Sequence, residues 1–238
     1  MSQNKLTSII MLAYKEPEKF IQSFETLIKN THSDVTPYEI IIIGNNPDND
    51  IKKYLEVIQQ SYSNIFVRIY MFDKNLGTAG GFNRGAEVAK GHYICFFNSD
   101  YYMMNHWLES MIDCFEHSYN IGLISCCTNV SGNKDEKCLD QIYLKGDYKE
   151  SECAIAQMFT TKTIWDSING FDESFYPCNF EDLDFNERVK AEGYRIFVNR
   201  KCFGYHDYEA SKQIERAEAT KKNRQLFKNK HGDKFKWA

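Results

Sequence analysis

The residues of this chain that could do chemistry form short groups suited to phosphates and hydroxyls. Asn98-Ser99-Asp100 follows an apolar run, and oxygen ligands in such a turn suit Mg²⁺ or Mn²⁺, which can bridge two phosphates. Because only Asp100 in this triplet is a carboxylate, an ordinary turn explains it equally well. Glu181-Asp182 opens a helical pattern, where one carboxylate can accept a proton while the other orients a hydroxyl. Acidic residues at a helix start also occur simply because they complement the helix dipole.

Two further groups could contact an anion or a metal. Residues 75–85 contain four glycines at the predicted start of a helix, where backbone N–H groups can approach an anion or a ribose and Arg84 can add charge. The segment matches neither the GxGxxG fingerprint nor the P-loop, and close packing is the alternative explanation. His206 follows the apolar run 202–205, and it is either a metal ligand or a residue that ends a strand.

Short apolar runs that alternate with amphipathic stretches indicate the elements that position these groups. Strand patterns occur at residues 6–13, 38–43, 65–71, 93–97 and 121–126, and helical patterns separate them. This order predicts an α/β fold with a mostly parallel twisted sheet and helices on both faces. Ligands of such sheets bind at the carboxyl ends of the strands. Those ends carry Ala13-Tyr14, Gly44-Asn45, Asp73 and Asn98-Ser99-Asp100.

The second half of the chain has a different pattern. Residues 131–152 are polar and charged, which predicts a loop or lid, and further strands are expected at 156–161 and 195–199. A helix over 182–192 is expected to end before Gly193, since glycine commonly follows a C-cap. From residue 212 onward the net charge is +6, which leaves −10 on the remainder. A solvated helix face is the favoured interpretation of this basic segment, and contact with an anionic membrane or acceptor is the alternative.

Composition restricts the class of protein. The 238 residues, 42% hydrophobic and 26% charged, allow one or at most two domains and predict a sizeable core. A net charge of −4 argues against bulk nucleic-acid binding. The eight cysteines lie mostly in apolar runs and none has CxxC spacing, so we expect reduced thiols in a cytoplasmic protein. No apolar run reaches the ~20 residues of a membrane span, and the polar N-terminus predicts no signal peptide.

The order of these groups resembles the inverting family 2 glycosyltransferases, which have the GT-A fold, a Rossmann-like nucleotide half plus an acceptor half. The resemblance runs from Thr7 to about Trp237. It rests on residues 10–14, 39–45, 75–85, 98–100, 170–173, 180–184, 205–206 and 223–227. It implies a single domain over 1–238. Within it we expect a nucleotide-sugar half at about 1–125, an acceptor or catalytic half at about 126–210 and a C-terminal basic helix at 211–238.

The resemblance also implies roles for individual residues. Asp182 would be the catalytic base and Glu181 would orient the acceptor, while Asp100 and His206 would hold Mn²⁺ or Mg²⁺. The nucleotide sugar would be bound by a larger set: Ala13, Tyr14, Glu16, Asn45, Asp73, Gly80, Gly81, Asn83 and Ser99. Two positions depart from the family pattern. Gly44 stands where an Asp usually reads the base, and Asn98 replaces the first Asp of the metal triplet.

The resulting hypothesis is a metal-dependent hexosyltransferase. It would move a hexose, with inversion, from a UDP- or dTDP-linked sugar to a hydroxyl of a glycan, lipid-linked or protein acceptor. Nucleic acid is expected only as a modified-DNA acceptor. The basic segment would give peripheral contact with the inner face of the membrane. Two alternatives are a catalytically weak nucleotide-sugar binding module and a nucleotidyltransferase. The latter predicts a basic, glycine-rich loop after the first strand, whereas residues 14–17 read Tyr-Lys-Glu-Pro.

Overall fold

One mixed sheet forms the centre of the fold. The structure is a computed structural model and describes residues 5–34, 36–62, 66–138, 147–208 and 217–233. Its strands are β1 (Thr7–Ala13), β2 (Tyr38–Asn45), β3 (Val67–Phe72), β4 (Tyr93–Phe97), β5 (Tyr101–Met103), β6 (Ile121–Thr128), β7 (Tyr148–Glu150), β8 (Phe159–Thr161) and β9 (Arg195–His206). Within the described ranges their spatial order is β3-β2-β1-β4-β8-β6-β9-β5, and β7 pairs with β9.

Seven helices cover this sheet in the described residues. They are α1 (Pro17–Asn30), α2 (Asn49–Ser61), α3 (Gly77–Val88), α4 (Trp107–His117), α5 (Lys162–Ser167), α6 (Glu181–Ala191) and α7 (Ala217–His231). Alternate residues of β1 point to opposite layers, as the period of a strand requires. Ile9 and Met11 pack in the layer that contains α1, α2 and α4. Ile10 packs in the layer that contains α3, α5 and α6. Helices therefore lie on both faces, as predicted.

The long strands pair in parallel. β1 pairs in parallel with β2 and β4, β2 with β3, and β6 with β9. The antiparallel pairs all involve the three-residue strands β5, β7 and β8. Burial explains the near-continuous apolar sequence of β2, because every one of its residues is buried between the two helical layers. The predicted fold class is confirmed, and the short antiparallel strands add the second half of the chain to the parallel half.

Several elements differ from the sequence-based expectation. Residues 131–152, predicted as a loop, contain the edge strand β7, while residues 139–146 lie outside the described residues. The strand predicted at 195–199 continues as β9 to His206, with an irregular register against β6. The glycine-rich segment is itself helical from Gly77 onward. Glycine lowers helix propensity, and tertiary packing overrides that preference here.

No helix in the described residues combines the length and the apolar composition that are needed to cross a bilayer. Six of the eight cysteines are buried free thiols. A buried thiol packs as a small hydrophobic side chain, which agrees with the apolar sequence around these cysteines.

Candidate active site

The turn after β4 lies beside the end of β9. Tyr101 of β5 pairs with His206 of β9, so the residue before this pair, Asp100, lies next to the imidazole. His206 Nε2 is 3.3 Å from Asp100 Oδ2, and the ring stacks on Tyr101 at a centroid distance of 4.3 Å. The backbone N–H of Asp207 donates to the Asp100 carbonyl at 2.8 Å, which fixes the turn. Strand pairing therefore brings together Asp100 and His206, which are 106 residues apart.

The contact of the second ring nitrogen of His206 bears on what could lie between the side chains of His206 and Asp100. His206 Nδ1 is 3.3 Å from the Val130 carbonyl, and a carbonyl can only accept a hydrogen bond. If Nδ1 carries the proton, a neutral imidazole directs the lone pair of Nε2 at the Asp100 carboxylate, which also only accepts. This arrangement needs a proton or a cation between the two groups, and it is the usual orientation of a metal-ligating histidine.

The side chains of Asp100 and His206 fit a divalent ion whose coordination shell is completed by a substrate. Carboxylate and imidazole are ligands of first-row metals such as Mn²⁺, and both side chains are only partly exposed. In the described part of the chain, no group of three or more His, Cys, Asp or Glu side chains converges on one point. Asn98 supplies no charge here. The phosphates of a bound nucleotide would therefore have to complete the coordination shell.

A buried glutamine, Gln157, joins the Asn98 turn to the second half of the chain. The backbone N–H of Asn98 donates to Gln157 Oε1 at 3.1 Å, and Gln157 is fully buried. The residues just before Gln157 are held by the side chains of Glu136 and Asn186. The N–H groups of Ile155 and Ala156 donate to the buried Glu136 carboxylate at 2.7 and 3.1 Å, whose pKa burial raises to about 6.

The same segment is bound to α6, the helix that begins with Glu181 and Asp182. Asn186 forms a reciprocal pair with Ala154: the Ala154 N–H donates to Oδ1 at 2.7 Å, and Nδ2 donates to the Ala154 carbonyl at 2.8 Å. Asn186 Nδ2 also donates to the Asp182 carbonyl at 2.7 Å. The hydrogen bonds of Gln157 and Asn186, joined by the backbone of residues 154–157, thus connect the Asn98 turn to Asp182.

The carboxyl of Asp182, the predicted base, is desolvated at the start of α6. Desolvation by burial raises the pKa of its carboxyl to about 6, and the backbone N–H groups of Leu183 and of Asp182 itself oppose this rise. The Leu183 N–H donates to Asp182 Oδ1 at 2.8 Å. From the sequence, the direction of this shift was open because the helix dipole and the neighbouring acids act in opposite senses. The structure shows that desolvation is the largest contribution.

The two neighbouring acids of α6 have separate environments. Glu181 is the first residue of the helix and is only 7% exposed. Asp184 is fully buried and accepts hydrogen bonds from Arg188, Lys230 and His231 at 2.6 to 2.8 Å. Asp184 is therefore bound to the C-terminal helix, which leaves Glu181 and Asp182 as the candidate catalytic pair.

The basic segment is only partly a solvated face. Lys230 and His231 of α7 bind Asp184, and Lys230 also binds Asp172 at 2.6 Å. Four other cationic residues of this helix are exposed: Lys221, Lys222, Arg224 and Lys228. Residues 212–216 and 234–238 of the segment lie outside the described residues. Part of the +6 charge thus pairs with acids of the protein itself, the buried Asp184 and the partly exposed Asp172.

Asn45, at the end of β2, holds the turn that enters α3. Its Oδ1 accepts from the Leu76 N–H at 2.7 Å, and its Nδ2 donates to Asn75 Oδ1 and to the Gly77 carbonyl, both at 3.1 Å. The side chain is 3% exposed. In this structure the amide groups of Asn45 are used within the protein, so a contact with a nucleotide base stays a prediction.

The glycines of α3 allow this helix to lie against β1. A Cβ on Gly81 would lie 2.8 Å from Leu12 Cδ2, and one on Gly85 would clash with Ile10. Gly80 is also buried, beside the Glu173 side chain. Close packing, the alternative weighed from the sequence, therefore accounts for these glycines. Their predicted contact with a nucleotide sugar is not tested by this geometry.

Asn83 and Arg84 connect α3 to the loop that leads to α6. Asn83 Nδ2 donates to the Phe171 carbonyl and to Glu173 Oε1, both at 3.0 Å, and Asn83 Oδ1 accepts from the Phe171 N–H at 3.0 Å. Arg84 Nη2 donates to Glu173 Oε1 at 3.0 Å. The predicted donor side is thus in direct contact with the loop that precedes the predicted catalytic helix.

The remaining predicted residues lie along the same edge of the sheet. Ala13 ends β1 and is fully buried, and Tyr14 follows it and is partly exposed. Glu16 has a left-handed backbone with φ 65° and precedes α1. Asp73 follows β3 and is exposed, whereas Ser99 is partly exposed in the Asn98 turn. The carboxyl ends of β1, β3 and β4 therefore place these residues as the parallel topology requires.

Three residues of the site were not singled out from the sequence. Asn186 lies one helical turn after Asp182, so its spacing was a usable signal. Asp207, directly after His206, accepts from the Tyr102 hydroxyl at 2.9 Å, and Lys19 donates to its carbonyl at 2.8 Å. Gln157 had no signal in the sequence, because its role depends on the pairing of β8 with β4.

Comparisons with known proteins concern the family and the fold of the chain. The sequence model of Glycosyl transferase family 2 matches residues 8–178, a stretch that ends just before Glu181. An uncharacterized glycosyltransferase of Methanocaldococcus jannaschii is 31% identical over 204 residues, which is 81% of this chain and 67% of that relative.

Two solved structures share the fold. GalNAc-T7, crystallised with UDP, GalNAc and Mn²⁺, superposes with a TM-score of 0.70 at 13% identity, over 86% of this chain and 43% of its own. S. aureus TarS (residues 1-349) gives a TM-score of 0.65 at 14% identity, over 97% of this chain and 75% of its own. This chain spans less than half of GalNAc-T7 and two thirds of the archaeal relative. Since the family model covers more than half of its residues, the chain belongs to glycosyltransferase family 2.

Proposed function

We propose that this protein is an inverting glycosyltransferase. It moves a hexose from a UDP- or dTDP-linked sugar to an acceptor hydroxyl in the synthesis of a glycan or glycoconjugate. The observation that carries the proposal is the environment of Asp182. Its carboxyl has a pKa of about 6 at the first turn of α6, and hydrogen bonds together with the backbone of residues 154–157 connect it to the turn that contains Asp100.

The proposed reaction needs one proton acceptor. With a pKa of about 6, the Asp182 carboxyl is mostly ionised at pH 7. Its carboxylate takes the proton of the acceptor hydroxyl as that oxygen bonds to the anomeric carbon. The bond from this carbon to the diphosphate breaks, and the diphosphate leaves with the electron pair. Attack from the face opposite the leaving group inverts the anomeric centre. Glu181, beside the base, orients the acceptor.

Charge on the leaving diphosphate needs compensation. Asp100 and His206 would hold Mn²⁺ or Mg²⁺, which supplies positive charge to the phosphates when bound. Their mixed oxygen and nitrogen donors favour Mn²⁺ over Mg²⁺. The approach of His206 Nε2 to Asp100 Oδ2 at 3.3 Å supports this assignment. We propose that residues within about 1–125 bind the nucleotide-sugar donor. Residues within about 126–210 bind the acceptor.

The experiment is a pair of measurements on Asp182→Asn, which keeps the shape and removes the base. Turnover is measured with a panel of nucleotide sugars in Mn²⁺, and nucleotide-sugar affinity is measured by calorimetry. We expect turnover to fall by about 10²–10⁴-fold, the usual contribution of general-base catalysis, with donor affinity retained. Asp166→Asn is the matched control, because Asp166 is an exposed acid of α5 that pairs only with Lys162 among the described residues.

Each result has a distinct meaning. Near wild-type turnover in Asp182→Asn would move the base to another residue, Glu181 first. Lost donor affinity would assign Asp182 to the framework of the site. A wild-type protein that binds a nucleotide sugar and transfers it to no acceptor would support the alternative of a binding module.

Peripheral contact with an anionic surface is a separate part of the proposal. The exposed Lys221, Lys222 and Lys228 of α7 support it, whereas Lys230 is used inside the molecule. Flotation with vesicles that contain anionic phospholipid, at low salt, tests it. Absence of the protein from the floating fraction would leave these lysines as a solvated face.

A further inference from the structure

The C-terminal helix α7 presents one polar and aromatic face to the loop before α6. The residues of this face recur every three or four positions, the spacing of one side of a helix: Thr220, Asn223, Phe227, Lys230 and His231. Asn179 Nδ2 donates to Thr220 Oγ1 at 2.8 Å, and the Phe227 ring lies 5.8 Å from that of Phe180. Together with the ion pairs to Asp184, these contacts fasten both the loop and the helix that carry the proposed catalytic pair.

Asn223 lies at the centre of this face. It is fully buried, and its Nδ2 is within hydrogen-bond distance of three backbone carbonyls, those of Phe175 at 3.0 Å, Cys178 at 2.9 Å and Asn179 at 3.2 Å. An amide nitrogen has two hydrogens, so at least one of them is shared. One side chain thus gathers three carbonyls from five consecutive residues, just before Glu181 and Asp182.

The loop it holds has an unfavourable backbone. Asn179 and Phe180 both have φ 75°, in the left-handed region that a bulky residue such as phenylalanine seldom adopts. Phe180 is the N-cap residue of α6, and no side chain caps the helix there. Residues in such conformations persist only where the surroundings hold them, and they are common at functional sites. The conformation at Phe180 sets the direction in which α6, and hence Asp182, begins.

The orientation of the Asn223 amide follows from its neighbours. All three nearby groups are carbonyl oxygens, which accept hydrogen bonds, so the nitrogen must face them. Asn223 Oδ1 is buried and has no hydrogen-bond partner among the described residues. A buried acceptor without a partner is destabilising. An asparagine at this position is therefore better explained by what its nitrogen holds than by the stability of α7.

We infer that Asn223 is a positioning residue for the transfer reaction, acting through the loop 175–180 on Asp182. The inference rests on the proposed function, in which Asp182 is the base. It gives α7 a role beyond closing the fold. The helix would hold the proposed catalytic pair in place while making no contact with substrate through Asn223.

The test is Asn223→Asp, which keeps the size of the side chain and replaces the donor nitrogen with an oxygen that repels the three carbonyls. We expect kcat to fall by about 10²-fold, the loss typical of a catalytic group misplaced by about 1 Å, with nucleotide-sugar affinity unchanged. In the Asp182→Asn background the same change should cost little more, because residues that act as a unit are not additive. Asn229→Asp is the control: it makes the same change at an exposed position of α7 and should match wild type.

A structural readout makes the test independent of turnover. Amide hydrogen exchange in residues 176–184 should accelerate in Asn223→Asp while exchange in β1, β2 and β4 stays at the wild-type rate. If a buried charge prevents folding, Asn223→Ser keeps a short donor without charge, and it should show an intermediate loss of kcat and an intermediate acceleration of exchange.

Three outcomes would overturn the inference. One is unchanged kcat and exchange in both Asn223 variants. Another is an equal loss of kcat and donor affinity, which would indicate general destabilisation. The third is full additivity with Asp182→Asn. Should the wild-type protein transfer no sugar at all, the proposed function fails, and the exchange measurement alone still decides whether Asn223 holds the loop.

Discussion

The ion pairs of Lys230 make a quantitative prediction about how α7 is held. Lys230 Nζ lies 2.6 Å from both Asp184 Oδ1 and Asp172 Oδ2. The Asp184 side chain is fully buried, whereas the side chains of Lys230 and Asp172 are each about one third exposed. Lys230→Met keeps an unbranched apolar side chain and removes the ammonium group, which also lies 5.2 Å from the centroid of the Phe175 ring. Asp172 can then be rehydrated, but Asp184 loses one of its three hydrogen-bond donors.

The expected cost follows from these differences in burial. A hydrogen bond to a charged group contributes about 1.5–3 kcal/mol, and we count only the buried bond to Asp184. Arg188 and His231 still bind Asp184, so the larger penalty of an uncompensated buried charge does not apply. For a domain of this size, that cost lowers the melting temperature by about 3–12 °C.

The assay is thermal unfolding of Lys230→Met beside Lys228→Met. Lys228 lies on the same helix and pairs only with the exposed Asp233 among the described residues, so its loss should change stability by less than about 0.5 kcal/mol. Equal melting temperatures for the two variants would refute the reasoning, because they would show that the contact of α7 with Asp184 contributes nothing.

The pH dependence of this difference has a fixed sign. Burial raises the pKa of both acids, but hydrogen bonds with Lys230 and other partners more than offset it. They lower the pKa of Asp184 below its ordinary value of 3.8 and that of Asp172 to about 2. A lowered carboxyl pKa stabilises the fold above the ordinary value, and this contribution is lost as the pH falls through the lowered one. The gap between wild type and Lys230→Met should persist near neutral pH and close in strong acid.

Three further predictions concern the site and its packing. Because the pKa of Asp182 is raised to about 6, kcat/KM should rise with pH through about 6, and a pH-independent profile would remove Asp182 as the base. Asp100→Ala should abolish transfer that EDTA inhibits in wild type, and full wild-type activity in EDTA would assign charge compensation to side chains. Gly85→Ala should lower the melting temperature by overpacking against Ile10, at about 1–3 kcal/mol, although alanine favours helix; a higher melting temperature would contradict the close approach of α3 to β1.

Much of the nucleotide-side fold could be predicted from the sequence because its signals are local. β2 and β4 are short apolar runs buried on both faces, and a parallel sheet with helical layers is the arrangement that buries such runs. The carboxyl ends of β1 to β4 meet at one edge whatever the loops do, so Ala13, Asn45 and Asn98 could be placed there in advance. Charge and spacing likewise indicated Asp100 and Asp182 as residues that needed a chemical explanation.

Only the tertiary structure decided the surroundings of these residues. The antiparallel pairing of β5 with β9 brings His206 to Asp100 across 106 residues, and no local pattern specifies that register. The direction of the Asp182 pKa shift depends on desolvation, which is set by groups distant in sequence. The glycines of α3 were ambiguous for the same reason. Whether Gly81 frees a backbone for a ligand or admits Leu12 depends on how closely β1 approaches the helix.

The C-terminal helix α7 shows most clearly what could not be predicted from the sequence. Its sequence is a run of charges with few apolar residues, and in isolation that pattern indicates a solvated face. In the folded protein Lys230 neutralises the buried Asp184, and Asn223 binds the carbonyls that lead to α6. The sequence determined which residues carry charge and which carry amide donors. The packing of α7 against α6 determined which of those groups lost their contact with water, and a polar group without water must find its partner within the protein.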